Sequence, residues 1–155
     1  MAKNSNTYKT FNVNEKTPTG FYNQLVQEFK FDFDPCPLNP TPEQDGLNIV
    51  WGKRCYINPP YGKAITGWLQ KALGEIEKGN TEVAVFLLPA YPDVKWFHEI
   101  VLPKADEIRF IKGRLKFGSH DNSAPFASMV VVFKSKTETA IPPLTKVKGI
   151  LAEQL

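Results

Sequence analysis

The chain has 155 residues, 42% of them apolar and 23% charged, which is enough for one continuous core and excludes wholesale disorder. Nineteen Lys and Arg against sixteen Asp and Glu leave a net charge of +3, an excess that admits a polyanionic partner without requiring one. No stretch approaches the ~20 apolar residues of a bilayer span and the start, MAKNSNTYKTFNVNEK, is polar, so the expectation is a soluble cytoplasmic protein without a membrane partner. Two cysteines and two histidines are too few for a disulfide framework or a four-cysteine metal site, and no metal is expected.

Residues 1 to 16 lack periodicity and read as a flexible arm. Thr17-Pro18 then opens a helix over about 19 to 29, where Phe21, Leu25 and Phe29 form a stripe at four-residue spacing. Phe31-Asp32-Phe33-Asp34 alternates apolar and acidic and reads as a short strand, stopped by Pro35-Cys36-Pro37. A loop rich in proline follows to about 50. Arg54 to Ile57 reads as a strand ended by Asn58-Pro59-Pro60-Tyr61-Gly62, and residues 63 to 78 carry Ile65, Trp68, Leu69, Ala72 and Ile76 at helical spacing. Val83 to Leu88 is a continuous apolar run suited to a strand buried on both faces. A helix from Asp93 to Leu102, ended by Pro103, precedes a strand over 107 to 111, a segment GRLKFG, a polar turn at 119 to 124 and an apolar strand over 128 to 133. Residues 135 to 155 are read as a tail. The alternation of strand and helix predicts an α/β fold with a mostly parallel sheet and right-handed crossovers.

In such sheets ligands bind at the carboxyl ends of strands, which draws attention to Asp34-Pro35-Cys36, Asn58-Pro59-Pro60-Tyr61 and Pro89-Ala90-Tyr91. The second carries the most chemistry. An exocyclic amine conjugated to a purine is a poor nucleophile, and acceptors set against its two hydrogens raise its nucleophilicity as a bond forms. The Asn58 carboxamide and the Pro59 carbonyl are such acceptors, proline supplies no competing N–H, and Tyr61 offers an aromatic face to a base. A Pro-Pro turn can also simply end a strand; position after a core strand and before a helix favours the chemical reading.

The ordered segments TP (17 to 18), FDFDPC (31 to 36), DGL (45 to 47) with Trp51, YINPPYG (56 to 62), FLLPA (86 to 90), KWFH (95 to 98), IRFIKGRLKFG (108 to 118) and APFASMVVVF (124 to 133) resemble the small phage and prophage DNA N-6-adenine methyltransferases of the Dam-like type. The resemblance covers about 17 to 134, which would be the methyltransferase domain. It implies a reduced Rossmann-like core of about five strands with flanking helices, S-adenosyl-L-methionine as cofactor, and methyl transfer to the N6 amine of adenine in double-stranded DNA inside a bacterial host. Asn58, Pro59, Pro60 and Tyr61 would hold the base, while Thr17, Pro18, Asp34, Pro35 and Cys36 would stand beside the cofactor.

The sequence departs from the usual methyltransferase plan in two places. The turn after Asp34 has no glycine, and 24 positions from Asp34 to Asn58 cannot hold two further strand-helix units, so the second and third strands are expected to be missing. The 37 to 50 loop would then supply adenosine contacts, with Asn39 and Asp45 as candidates; Asp45-Gly46 also reads as an ordinary turn. Lys112, Arg114 and Lys116 alternate in a strand-like segment and read either as phosphate contacts, with Lys63 beside the motif, or as a solvated face. His98 is expected to pack or to make a surface hydrogen bond, and Cys36 and Cys55 to be small buried residues. With no separate target-recognition domain in view, specificity would be short, relaxed or supplied by a homodimer. RNA, a protein glutamine amide, or catalytically silent DNA binding are the alternatives.

Overall fold

Five strands make the central sheet of a computed structural model that describes residues 19–37, 39–116, 125–136 and 147–151, with Thr19 and the last five as backbone only. They are β1 (Arg54–Ile57), β2 (Val83–Pro89), β3 (Glu107–Lys112), β4 (Ser128–Lys134) and β5 (Val147–Leu151), laid out in the order β1-β2-β4-β3-β5. β1 pairs parallel with β2 and β3 parallel with β5, but β4 is antiparallel to both β2 and β3. The expectation of a mostly parallel sheet is corrected here: two of the four strand pairs are antiparallel. The apolar run at 128 to 133 is buried whichever way it points, so its composition carries no information about direction. Because β4 alone runs against the other four, the carboxyl ends of β1, β2 and β3 and the amino end of β4 gather along one edge of the sheet.

The expected strand at 31 to 34 is a single parallel bridge, Phe33 to Cys55. Asp32 N donates to Arg54 O at 2.9 Å and Tyr56 N to Phe33 O at 3.1 Å, so the segment lies along the outer side of β1. Pro35 and Pro37 have no N–H with which to prolong the ladder. The sheet gains β5 instead, from residues past the expected domain end at 134.

Helix α1 (Thr19–Phe29) buries Phe21, Leu25 and Phe29, the stripe expected from their spacing. Each contributes about 1.5–3 kcal/mol on leaving water. Its end is fastened to the sheet: Arg54 Nε donates to Phe29 O, the Arg109 guanidinium sits 5.2 Å from the Phe29 ring centroid, and Arg109 Nη1 bonds Glu28 Oε2 at 2.6 Å while Nε bonds Glu107 Oε1 at 2.7 Å. Helix α2 (Ile65–Glu77) buries Ile65, Trp68, Leu69 and Ala72. Its Glu75 is buried and receives hydrogen bonds from Lys71 Nζ (2.5 Å) and Asn80 Nδ2 (2.6 Å).

The third helical segment, α3, spans 95–104 rather than 93 to 102. Its Phe97–Val101 part has π geometry and passes directly into Leu102–Lys104. Pro103 therefore lies inside the helix that it was expected to end; the wider π turn just before it is where the ladder absorbs the missing N–H and the ring. Among the described residues no helix is long and apolar enough to cross a membrane, and no group of His, Cys, Asp and Glu is placed to hold a metal.

Candidate active site

Asn58 follows the last residue of β1 and is fully buried. Neither Oδ1 nor Nδ2 has a hydrogen-bond partner among the described residues. An unsatisfied buried polar group costs about 1–3 kcal/mol, so a carboxamide in this state is expensive unless something else uses it. Register shows which way it faces. Tyr56 pairs with Val85, and Leu87 and Pro89 pair with Val130 and Ser128, so these residues share one face of the sheet. Asn58, two residues beyond Tyr56, continues the alternation onto the same face. This is the face on which α1 lies, with the Tyr22 ring 4.9 Å from that of Tyr56.

Pro59 is buried and Pro60 half-buried. Tyr61 is only 8% exposed; its hydroxyl donates to Leu87 O at 3.2 Å and its ring meets Phe126 edge-on at 5.3 Å. Burial raises the Tyr61 pKa well above its ordinary value, with Tyr56 and Tyr91 adding to the effect. The aromatic face expected for a base is thus covered by neighbouring rings: Phe126 also meets Tyr91 edge-on at 6.2 Å. Gly62, with φ of 101°, makes the turn that releases the chain into α2.

Asp34, Pro35 and Cys36 run beside the end of β1. The bridge at Phe33 to Cys55 places Asp34 next to Tyr56, on the Asn58 face. Cys36 N donates to Asp34 Oδ1 at 2.9 Å. Burial nevertheless dominates and pushes the Asp34 pKa from 3.8 up to about 6. The same burial, with the Asp34 charge, pushes the Cys36 thiol up to about 12, and burial does the same to Cys55, so neither is a thiolate at neutral pH. A half-buried acid that resists ionisation, on the same sheet face as a carboxamide unsatisfied among the described residues, suits a cationic ligand carrying further hydrogen-bonding groups.

The 37–50 loop is held against this corner through Gly46. Trp51 Nε1 donates to Gly46 O at 2.7 Å, and the Trp51 and Trp68 rings lie 6.3 Å apart. A Cβ on Gly46 would fall 1.9 Å from Pro35 O, so only glycine allows the approach. Asp45 is exposed, and its carboxylate is engaged within the loop by Leu47 N (3.1 Å) and Asn48 Nδ2 (2.5 Å). That is turn geometry. Asn39 is exposed with φ of 51°, a left-handed conformation that asparagine tolerates.

Lys63, Lys112, Arg114 and Lys116 are all exposed. The three in the later segment do not share a strand face: β3 ends at Lys112, and Gly113 at φ 81° turns the chain before Arg114. Topology still places them at the edge of the sheet that carries Asn58. His98 Nε2 lies 2.5 Å from Pro92 O, a surface hydrogen bond. Thr17 and Pro18 lie outside the described residues, as do 1 to 16, 117 to 124 and most of 135 to 155. Glu75, Thr81 and Ser128 are buried polar residues with no signal in the sequence pattern, and of these only Ser128 Oγ lacks a partner among the described residues.

The description DNA N-6-adenine-methyltransferase (Dam) belongs to a family whose sequence model matches residues 4–148. No curated protein and no solved structure matches the chain.

Proposed function

Because the chain belongs to the DNA N-6-adenine-methyltransferase (Dam) family, we propose that it transfers a methyl group from S-adenosyl-L-methionine to the N6 amine of adenine in double-stranded DNA. The observation that carries this reading is the Asn58 carboxamide, buried at the end of β1 with both polar atoms unsatisfied among the described residues. A flipped adenine would cancel that cost, since Oδ1 accepts from the N6 amine. The Pro59 carbonyl would be the second acceptor.

Residues fit the cofactor at the neighbouring strand end. Asp34 would hold its positive charge, with Pro35 and Cys36 forming the wall and the Gly46 contact fixing that wall in place. When bound, the sulfonium supplies an electrophilic methyl group. The chain's own part would be positioning: Asn58 Oδ1 and the Pro59 carbonyl would accept hydrogen bonds from the two amine hydrogens, raising the nitrogen's nucleophilicity, and one of those protons would pass to water once the nitrogen carries the methyl group. Neither a metal nor a covalent enzyme intermediate is needed by this chemistry. The exposed basic residues at the same edge, Lys63, Lys112, Arg114 and Lys116, would take phosphates, giving position without reading sequence.

Labelled S-adenosyl-L-methionine, offered with duplex DNA, RNA and a glutamine-bearing peptide, tests the assignment. Label in duplex DNA as N6-methyladenine is expected, and Asn58→Ala should remove it. Label in RNA or peptide alone, or none in any polymer, would overturn the proposal.

A further inference from the structure

A second unsatisfied polar atom stands across the sheet from Asn58. Ser128 is the first residue of β4 and pairs with Pro89 of β2. It is fully buried, and its Oγ has no hydrogen-bond partner among the described residues. Serine at the start of an apolar strand has no packing advantage over alanine, so the hydroxyl is a cost to folding wherever it stays unpaired.

Placement links the two orphans. Both lie on the same face and the same edge of the sheet, since Tyr56, Val85, Leu87, Pro89, Val130 and Ser128 are tied by register. The ring of Phe126, two residues before Ser128, rests against that of Tyr61, three residues after Asn58. Ala90 N bonds Ala127 O at 2.8 Å, which fixes the start of β4 beside the end of β2. Two strand spacings across and two residues along separate Asn58 and Ser128 by about 12 Å between Cα atoms. A purine with a hydrogen bond of about 2.9 Å at each side, reached by two side chains, fills such a span.

We propose that Ser128 is a base-reading residue: its hydroxyl donates to a ring nitrogen of the same adenine whose amine Asn58 holds. This rests on the methyltransferase reading and deepens it. Asn58 recognises an amine, which cytosine also has; a donor aimed at a ring nitrogen adds a contact that depends on how the base lies in the pocket. Because both groups are fully buried, a base reaches them only when the side chains that cover them give way. That makes the hydroxyl a contact of the loaded site and not of the empty one.

The test uses the full chain and duplexes in which the methylated adenine, located first by mapping modified positions in cellular DNA, is replaced by 1-deaza-, 3-deaza- or 7-deazaadenine. For the wild type, one of the three replacements should lower kcat/KM by about tenfold beyond its effect on Ser128→Ala, the worth of one hydrogen bond. Ser128→Ala should itself lose about tenfold on ordinary adenine while melting no lower than the wild type. Ser128→Cys, close in shape but with a much weaker donor, provides the same comparison if the alanine variant folds poorly. Equal losses by Ser128→Ala on all four substrates, or no loss at all, would overturn the inference alone. A wild type with no more activity than Asn58→Ala would bring down the methyltransferase reading with it.

Discussion

Replacing Asp34 with Asn separates what the carboxylate does for folding from what it does for binding. Its pKa is pushed from 3.8 to about 6 by burial, so the folded protein prefers the neutral acid. Stability from this group is therefore fully present below pH 3.8 and is lost as pH rises through 6. A displacement of that size corresponds to about 3 kcal/mol. Asp34 is half-buried, so water reduces the effect to about 1–2 kcal/mol. Asparagine retains the oxygen that accepts from Cys36 N and carries no charge, so Asp34→Asn should be more stable than the wild type at pH 8 by that amount, or about 2–8 °C in melting temperature. At pH 4 the two should coincide. Binding should go the other way. A cation placed against Asp34 favours its ionised form, so near pH 6 the wild type should release a proton on binding S-adenosyl-L-methionine, measured as a heat that changes with buffer ionisation enthalpy. Asp34→Asn should bind far more weakly and release none. A stability difference that did not vary between pH 4 and pH 8, or binding without proton release, would refute the reasoning.

Asn58→Ala should lower kcat by about 100- to 1,000-fold, the cost of losing an acceptor on a developing charge, without lowering the melting temperature, since the carboxamide has no partner among the described residues to lose. Gly46→Ala forces a Cβ to 1.9 Å from Pro35 O; denaturant titration should show a loss of about 3 kcal/mol or more, and cofactor affinity should fall with it as the 34–36 wall shifts. At Glu75, burial alone would raise the pKa, but hydrogen bonds from Lys71 and Asn80 outweigh it and hold the carboxyl below its ordinary 4.5. Its contribution is present above pH 4.5 and fades as pH falls through the lowered value, so Glu75→Gln should flatten the stability curve in that acid range, read by melting curves from pH 2.5 to 6.

The parts of this protein that were legible in advance are those written in local periodicity. The four-residue stripe of Phe21, Leu25 and Phe29, the apolar run of β2, and the turn residues after Ile57 each determine an element without reference to the rest of the chain. Strand direction is not local. Met129 to Phe133 is buried at every position, so nothing in its pattern distinguishes an antiparallel insertion between β2 and β3 from a parallel strand at the end. Phe31 to Asp34 alternates as a strand should, yet forms one bridge because the prolines after it cannot donate. At the site, Asn58 announced itself by chemistry and neighbours. Ser128 did not: a serine before an apolar run reads as a strand start, and only its burial without a partner among the described residues sets it apart.

The bridge between Phe33 and Cys55 also bears on self-association. Among the described residues the outward-facing amide of Tyr56 is already spent on Phe33 O, and the Arg54 carbonyl on Asp32 N, so these ladder groups of β1 are not open to a second molecule. The backbone that stands outside it is a few residues long and ends at Pro35 and Pro37, whose nitrogens carry no hydrogen. A short hem of this kind leaves a visiting strand little to zip onto along this edge.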